Sequence, residues 1–135
     1  MPNSSETYAP DDTTVYETMG QILKVGRSIA IDLLDAGVCD CQVPDPHVTI
    51  FFRKGKDWTQ RELEIVREKR EEYLTNHSKI TFTTQGWGPN SKLIVGDSFH
   101  DYARFLLSSF KEWHQDRPLH VTLRTRGKGK GKGLK

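Results

Sequence analysis

Residues 47–53 read His47-Val48-Thr49-Ile50-Phe51-Phe52-Arg53, and residues 120–123 repeat the opening as His120-Val121-Thr122-Leu123, in a chain of 135 residues with five histidines. The first stretch is apolar and β-branched, which predicts a buried strand, and the turn-forming region around Gly55 ends it. In a strand successive side chains point to opposite faces, so His47 and Thr49 share one face while Val48 and Ile50 share the other. The same parity separates His120 and Thr122 from Val121 and Leu123. Each copy is expected to turn an aliphatic pair into a core and an imidazole with a hydroxyl outward.

Upstream, the loop from Val38 to Pro46 carries Pro44 and Pro46 and leads directly into the first copy. Gln21 to Val25, bounded by Gly20 and Gly26, reads as a strand. From Ser28 to Ala36, Ile29, Leu33 and Ala36 share one helical face with Gly37 as the stop, which predicts a short helix. The alternation in Ser28 to Leu33 also permits a strand. Downstream, Thr59 and Glu62 form a capping box for a long helix ending near Asn76, with Leu63, Val66, Arg70 and Tyr73 at helical spacing. Lys79 to Gln85 and Ser91 to Val95 are strands around the turn residues Gly86 to Asn90, and are expected to pair as a hairpin. A second helix is predicted after Ser98, with Asp101 at the capping-box position and Tyr102, Phe105, Leu106, Phe110 and Trp113 as its apolar stripe. Pro118 closes the connection, and Leu119 to Arg124 is the last strand. The order β, α, β, α, β, β, α, β predicts an α+β fold with helices packed on a largely antiparallel sheet.

A chain of 135 residues suits one compact domain. We place that domain at 14–125, between a disordered leader (1–13) and a disordered Gly/Lys tail (126–135). Hydrophobic residues make up 35% and charged residues 28%, and no apolar run approaches the roughly 20 residues that span a bilayer. The N-terminus has neither a basic start nor an apolar stretch after it, so no secretory signal is expected and a cytoplasmic location is. Cys39 and Cys41 are one residue apart, a spacing poorly suited to a disulfide, and are expected to be free thiols. The net charge of +2 hides an asymmetry: residues 124–135 hold 6 basic groups and no acidic one, leaving 14 basic against 18 acidic, a net of −4, in the rest. The basicity belongs to the tail, for which weak contact with nucleic acid or another polyanion and simple solubilisation are equal expectations.

If the two strands are neighbours, the site holds two imidazoles and two hydroxyls, an inventory that suits cleavage of a phosphodiester without a metal. One histidine takes a proton from the attacking water or hydroxyl and the other gives one to the leaving oxygen, each transfer worth about 10²- to 10⁴-fold. Histidine serves both roles because imidazole ordinarily titrates at about 6.5. The threonines donate hydrogen bonds to the non-bridging phosphate oxygens. A metal site is not expected: each motif supplies one good ligand, with no Asp or Glu beside it on the same face. No cofactor is expected either. Counting by twos from His47 reaches Phe51 and Arg53; from His120 it reaches Arg124 and Arg126. These arginines are candidates to hold phosphate bidentately. Phe51, Trp87 and Trp58 are candidates to stack a base, with packing as the competing role for each. His77, His100 and His114 are assigned no role.

The pair His47-Val48-Thr49-Ile50 and His120-Val121-Thr122-Leu123 resembles the paired His-apolar-Thr/Ser-apolar signature of the two-histidine (2H) phosphoesterases, over roughly residues 20–125. The resemblance implies a bilobed α+β fold with a central cleft, His47 and His120 as acid and base, and Thr49 and Thr122 as phosphate ligands. Substrates known in that family are RNA ends or nucleotides with 2',3'-cyclic phosphates, 2',5'-linked oligoadenylates, and cyclic oligonucleotide signals. The last are destroyed by small phage anti-CBASS enzymes, which the short chain and Pro-rich approach most resemble. The competing expectation is a binding module that holds a cyclic nucleotide or RNA end without turning it over.

Overall fold

A computed structural model describes residues 14–38, 43, 45–88, 90–115 and 117–123, with the backbone of 129–130 and 133–134. The leader, Cys39, Cys41, Arg124 and Arg126 lie outside the described residues, as does the tail beyond a short antiparallel pairing of Gly129–Lys130 with Gly133–Leu134.

The strand that decides the fold is β4, His47–Phe52. Around it lie β1 (Tyr16–Thr18), β2 (Ile22–Val25), β3 (Ser28–Asp32), β5 (Ile80–Trp87), β6 (Ser91–Val95) and β7 (His120–Thr122). They form one seven-stranded sheet in the order β1-β5-β6-β7-β4-β3-β2, and every pairing within it is antiparallel. Helices α1 (Gln60–Asn76) and α2 (Asp97–Leu106) complete an α+β fold. Val48, Ile50 and Val121 from the centre of the sheet join Val66, Tyr73, Phe99, Tyr102 and Leu106 from the helices in one buried cluster. Among the described residues no helix is long and apolar enough to cross a membrane.

Helix α1 starts as its sequence dictates. The Thr59 side chain accepts from the Glu62 amide while the Glu62 side chain accepts from the Thr59 amide, so two otherwise orphaned donors are satisfied reciprocally. Leu63, Val66 and Tyr73 are its buried residues.

Three expectations need correction. Ser28 to Ala36 is not a helix: Ser28–Asp32 is β3, and only Leu34–Ala36 makes a single 3₁₀ turn. The segment lies between β2 and β4 and pairs with both, so the β-branched Ile29 and Ile31 satisfy their backbones in ladders on either side. The helical spacing of Ile29, Leu33 and Ala36 arises because strand and turn both face the core. The second helix is shorter than its stripe suggests. It ends at Leu106, and Phe110 and Trp113 reach the core from successive turns, with Phe110 N donating to Leu107 O and Trp113 N to Phe110 O. Ser98 is no cap, since its hydroxyl accepts from Thr81 N. Finally, β5 runs on through Gly86 and Trp87, and Trp87 pairs with Ser91 where a turn was expected.

The N-terminal strand β1 was not expected. It pairs with β5 through Tyr16 opposite Phe82, and the two rings stack at 5.4 Å. Beyond it the chain turns at Gly20, which has φ +63°. The buried Tyr102 of α2 lies against this turn and its hydroxyl donates to Gly20 O.

Candidate functional site

Strands β4 and β7 are neighbours, with Val48 directly opposite Val121. Antiparallel register then sets His47 beside Thr122 and Thr49 beside His120, and places the two histidines on a diagonal at about 7–8 Å. Burial follows the parity: Val48, Ile50 and Val121 are buried, His47 and His120 half-buried, and Thr49 and Thr122 exposed. The chain thus brings both His-x-Thr pairs to one face of the sheet, opposite the face that packs on the core.

Each histidine is held in the same way. His47 Nδ1 lies 3.0 Å from Asp45 O, and His120 Nδ1 lies 3.0 Å from Pro118 O, in both cases the carbonyl two residues earlier. A carbonyl oxygen only accepts, so Nδ1 carries the hydrogen in this geometry and Nε2 is left to exchange a proton.

The surroundings of the two differ. Asp32 of β3 pairs across from His47, with its Oδ1 accepting from Leu34 N at 2.9 Å. Leu93 of β6 pairs across from His120, and the Trp87 ring lies 4.7 Å from the His120 ring at 59°. Trp87 is 41% exposed, so one of the expected stacking residues stands beside the motifs with an open face.

Past the Val48–Val121 contact the two strands part. The Ile50 carbonyl is taken by Trp113 Nε1 at 2.8 Å, and a hollow of about 370 Å³ opens between β4 and the segment 112–119. Thr49 and His120 form part of its wall, with Phe51 and Phe52; His47 and Thr122 do not. A wider, shallower depression of about 720 Å³ lies alongside, over β6 and the start of α2, and contains no His or Thr of either motif. We regard the smaller hollow as the relevant one because it is continuous with the paired motifs.

Arg53 requires correction as a phosphate-holding candidate. Strand β4 ends at Phe52, so the count by twos fails there, and Arg53 is 5% exposed. Its Nη1 donates to Glu62 at 2.7 Å and its Nη2 to Glu112 at 2.8 Å, while the guanidinium lies over the Trp58 ring at 4.2 Å. Trp58 is itself buried, its Nε1 donating to Arg27 O. Phe51 packs edge-on to Trp58 and against Phe110, which favours the packing role over the stacking one. Arg124 lies outside the described residues. Sequence parity gave no sign of Glu112, Phe52 or Asp32: each reaches the site through register or a long-range contact.

The Arg53 cluster makes stability depend on pH. The Arg53 hydrogen bond, followed by the Thr59 amide, lowers the Glu62 carboxyl from 4.5 to about 2. Its folded value lies below the unfolded one, so its contribution is fully present above about pH 4.5 and is lost as the pH falls toward 2. Glu62→Gln is expected to lower the Tm at neutral pH and to flatten the decline of Tm between about pH 4.5 and 3. Thermal melts of both proteins across that range check this, and parallel curves would refute it.

Among the described residues no three His, Cys, Asp or Glu side chains gather as a metal-holding group. Comparison of the chain with protein-family models, curated proteins and solved structures finds no match.

Proposed function

We propose that the chain is a two-histidine phosphodiesterase that hydrolyses a nucleotide-type phosphodiester without a metal. The observation that carries this reading is the antiparallel apposition of the two His-x-Thr segments, each histidine anchored through Nδ1 to the carbonyl two residues before it. A phosphate seated between the strands meets two Nε2 atoms and two hydroxyls. One neutral imidazole takes the proton of water, or of a ribose hydroxyl, as its oxygen bonds to phosphorus. The other, protonated, delivers its proton to the oxygen that departs. Both transfers depend on geometry first, and the Nδ1 anchors set that geometry in advance. The threonine hydroxyls donate to the non-bridging oxygens, where charge grows in the transition state. The bilobed arrangement implied by the resemblance would make the open face of β4 and β7 the floor of the cleft.

The test is hydrolysis of a panel holding 2',3'-cyclic AMP, 2',5'-oligoadenylate and cyclic dinucleotides, with and without EDTA. We expect turnover of at least one class, undiminished by the chelator. Binding of panel members with no cleavage of any would make the chain a nucleotide-binding module instead. Cleavage abolished by EDTA would overturn the metal-free mechanism.

A further inference from the structure

The hollow beside Thr49 and His120 has a wall whose charge the proposed chemistry does not use. Glu112 lines it with a side chain 53% exposed. One oxygen, Oε2, is fixed by Arg53 Nη2 at 2.8 Å. Arg53 is fixed in turn by Glu62, and Glu62 by the Thr59 amide at 2.9 Å, where α1 begins. A buried guanidinium therefore aims a partly exposed carboxylate, and the same hydrogen bond holds the Glu112 carboxyl below its ordinary value. At neutral pH this carboxylate only accepts hydrogen bonds.

Phe52 lines the same hollow and is 58% exposed, so its ring is accessible to a planar group that could stack on it. Arg117 on the same lining supplies a positive charge that offsets Glu112 toward an anionic ligand. A volume of about 370 Å³ falls within the roughly 300–1,000 Å³ of small-molecule sites. Because Thr49 and His120 belong to both places, an occupant of the hollow is connected to the phosphate between the motifs.

We propose that this hollow is a nucleobase subsite in which Phe52 stacks the base and Glu112, held by Arg53, selects a base bearing an exocyclic amine. Cytosine, adenine and guanine offer such N–H₂ donors; uracil and hypoxanthine place a carbonyl or nothing there, and a carbonyl facing a carboxylate is repelled. Glu112 is thus a specificity residue, and Arg53 and Glu62 are positioning residues. The proposal rests on the phosphodiesterase reading for the placement of the phosphate, but it is tested by binding.

Cytidine and uridine 3'-monophosphates, and guanosine and inosine 3'-monophosphates, contain no diester to cleave and can be titrated into the full chain by calorimetry or by NMR shifts. A hydrogen bond to a charged acceptor predicts about ten- to hundredfold tighter binding of the cytidine and guanosine members. Glu112→Gln, whose amide both donates and accepts, is expected to erase the preference, whereas Phe52→Ala weakens all four alike. A melt of the Glu112→Gln protein close to that of the parent shows that the fold is kept. Equal affinities in the parent, a preference that survives Glu112→Gln, or no binding of any of the four would each overturn the subsite. Preference without hydrolysis of any diester leaves the subsite standing and removes the phosphodiesterase reading; hydrolysis without preference does the reverse.

Discussion

Replacing either His47 or His120 with alanine is expected to lower kcat by about 10²- to 10⁴-fold, with affinity for a bound nucleotide changed far less. The expectation follows from the proposed function: the two imidazoles are anchored alike through Nδ1 and lie on adjacent strands, so each would supply one of the two proton transfers. Acid and base act as a unit, and the double variant is expected to lose little more than the worse single variant. Single-turnover rates and equilibrium binding for the three proteins check this. A kcat within a few-fold of the parent for either single variant would remove that histidine from the chemistry. Thr49→Val and Thr122→Val are the companion probes, with losses up to the roughly 10²- to 10³-fold seen when one donor to developing charge is removed.

The second large effect concerns stability. Gly20→Ala is expected to destabilise the fold by about 3 kcal/mol, from two sources acting together. A Cβ on Gly20 would sit 2.6 Å from Tyr102 Cε2 and 2.8 Å from its Cζ, and overpacking of this kind costs about 1–3 kcal/mol. The backbone there has φ +63°, a left-handed conformation that adds about 1 kcal/mol for a residue with a side chain. Tyr102 cannot withdraw cheaply, being fully buried with its hydroxyl donating to Gly20 O; burial pushes its ionisation upward, so it remains a donor. Tyr102→Phe removes the hydrogen bond alone and is expected to cost about 1 kcal/mol. Chemical denaturation of both variants separates the steric from the polar part. Should Gly20→Ala melt with the parent, the turn is not the tight point the packing implies.

Much of this architecture was legible from local pattern. Thr59 and Glu62 announced the start of α1, and Ile50 and Val48 announced the buried face of β4, because a capping box and a period of two are written within a few residues. The common face of His47 with Thr49, and of His120 with Thr122, followed from the same period of two. What stayed illegible depends on partners distant in sequence. Whether Ile29 and Ile31 lie on a strand is decided by β2 and β4 together. Arg53 changes from a prospective phosphate ligand to a buried ion-pair partner because Glu112, 59 residues away, arrives beside it. Trp87 reaches His120 only because β5 continues two residues into the expected turn.

The pairing of Val48 with Val121 also has a symmetry. Two nearly identical tetrapeptides run in opposite directions through that point, so a local two-fold axis relates His47 to His120 and Thr49 to Thr122. A phosphodiester placed on the axis would meet the same four groups in either orientation, and the motifs by themselves would have no sense of direction. Polarity would have to come from outside the pair, where the surroundings differ: Trp87 and the Phe52–Glu112 hollow lie on the His120 side and Asp32 on the His47 side. Under the proposed function, the bond that breaks would therefore be chosen by the neighbours that hold the two ends of a substrate, and changing those neighbours would offer a route to reversing the direction of cleavage with the two His-x-Thr pairs left as they are.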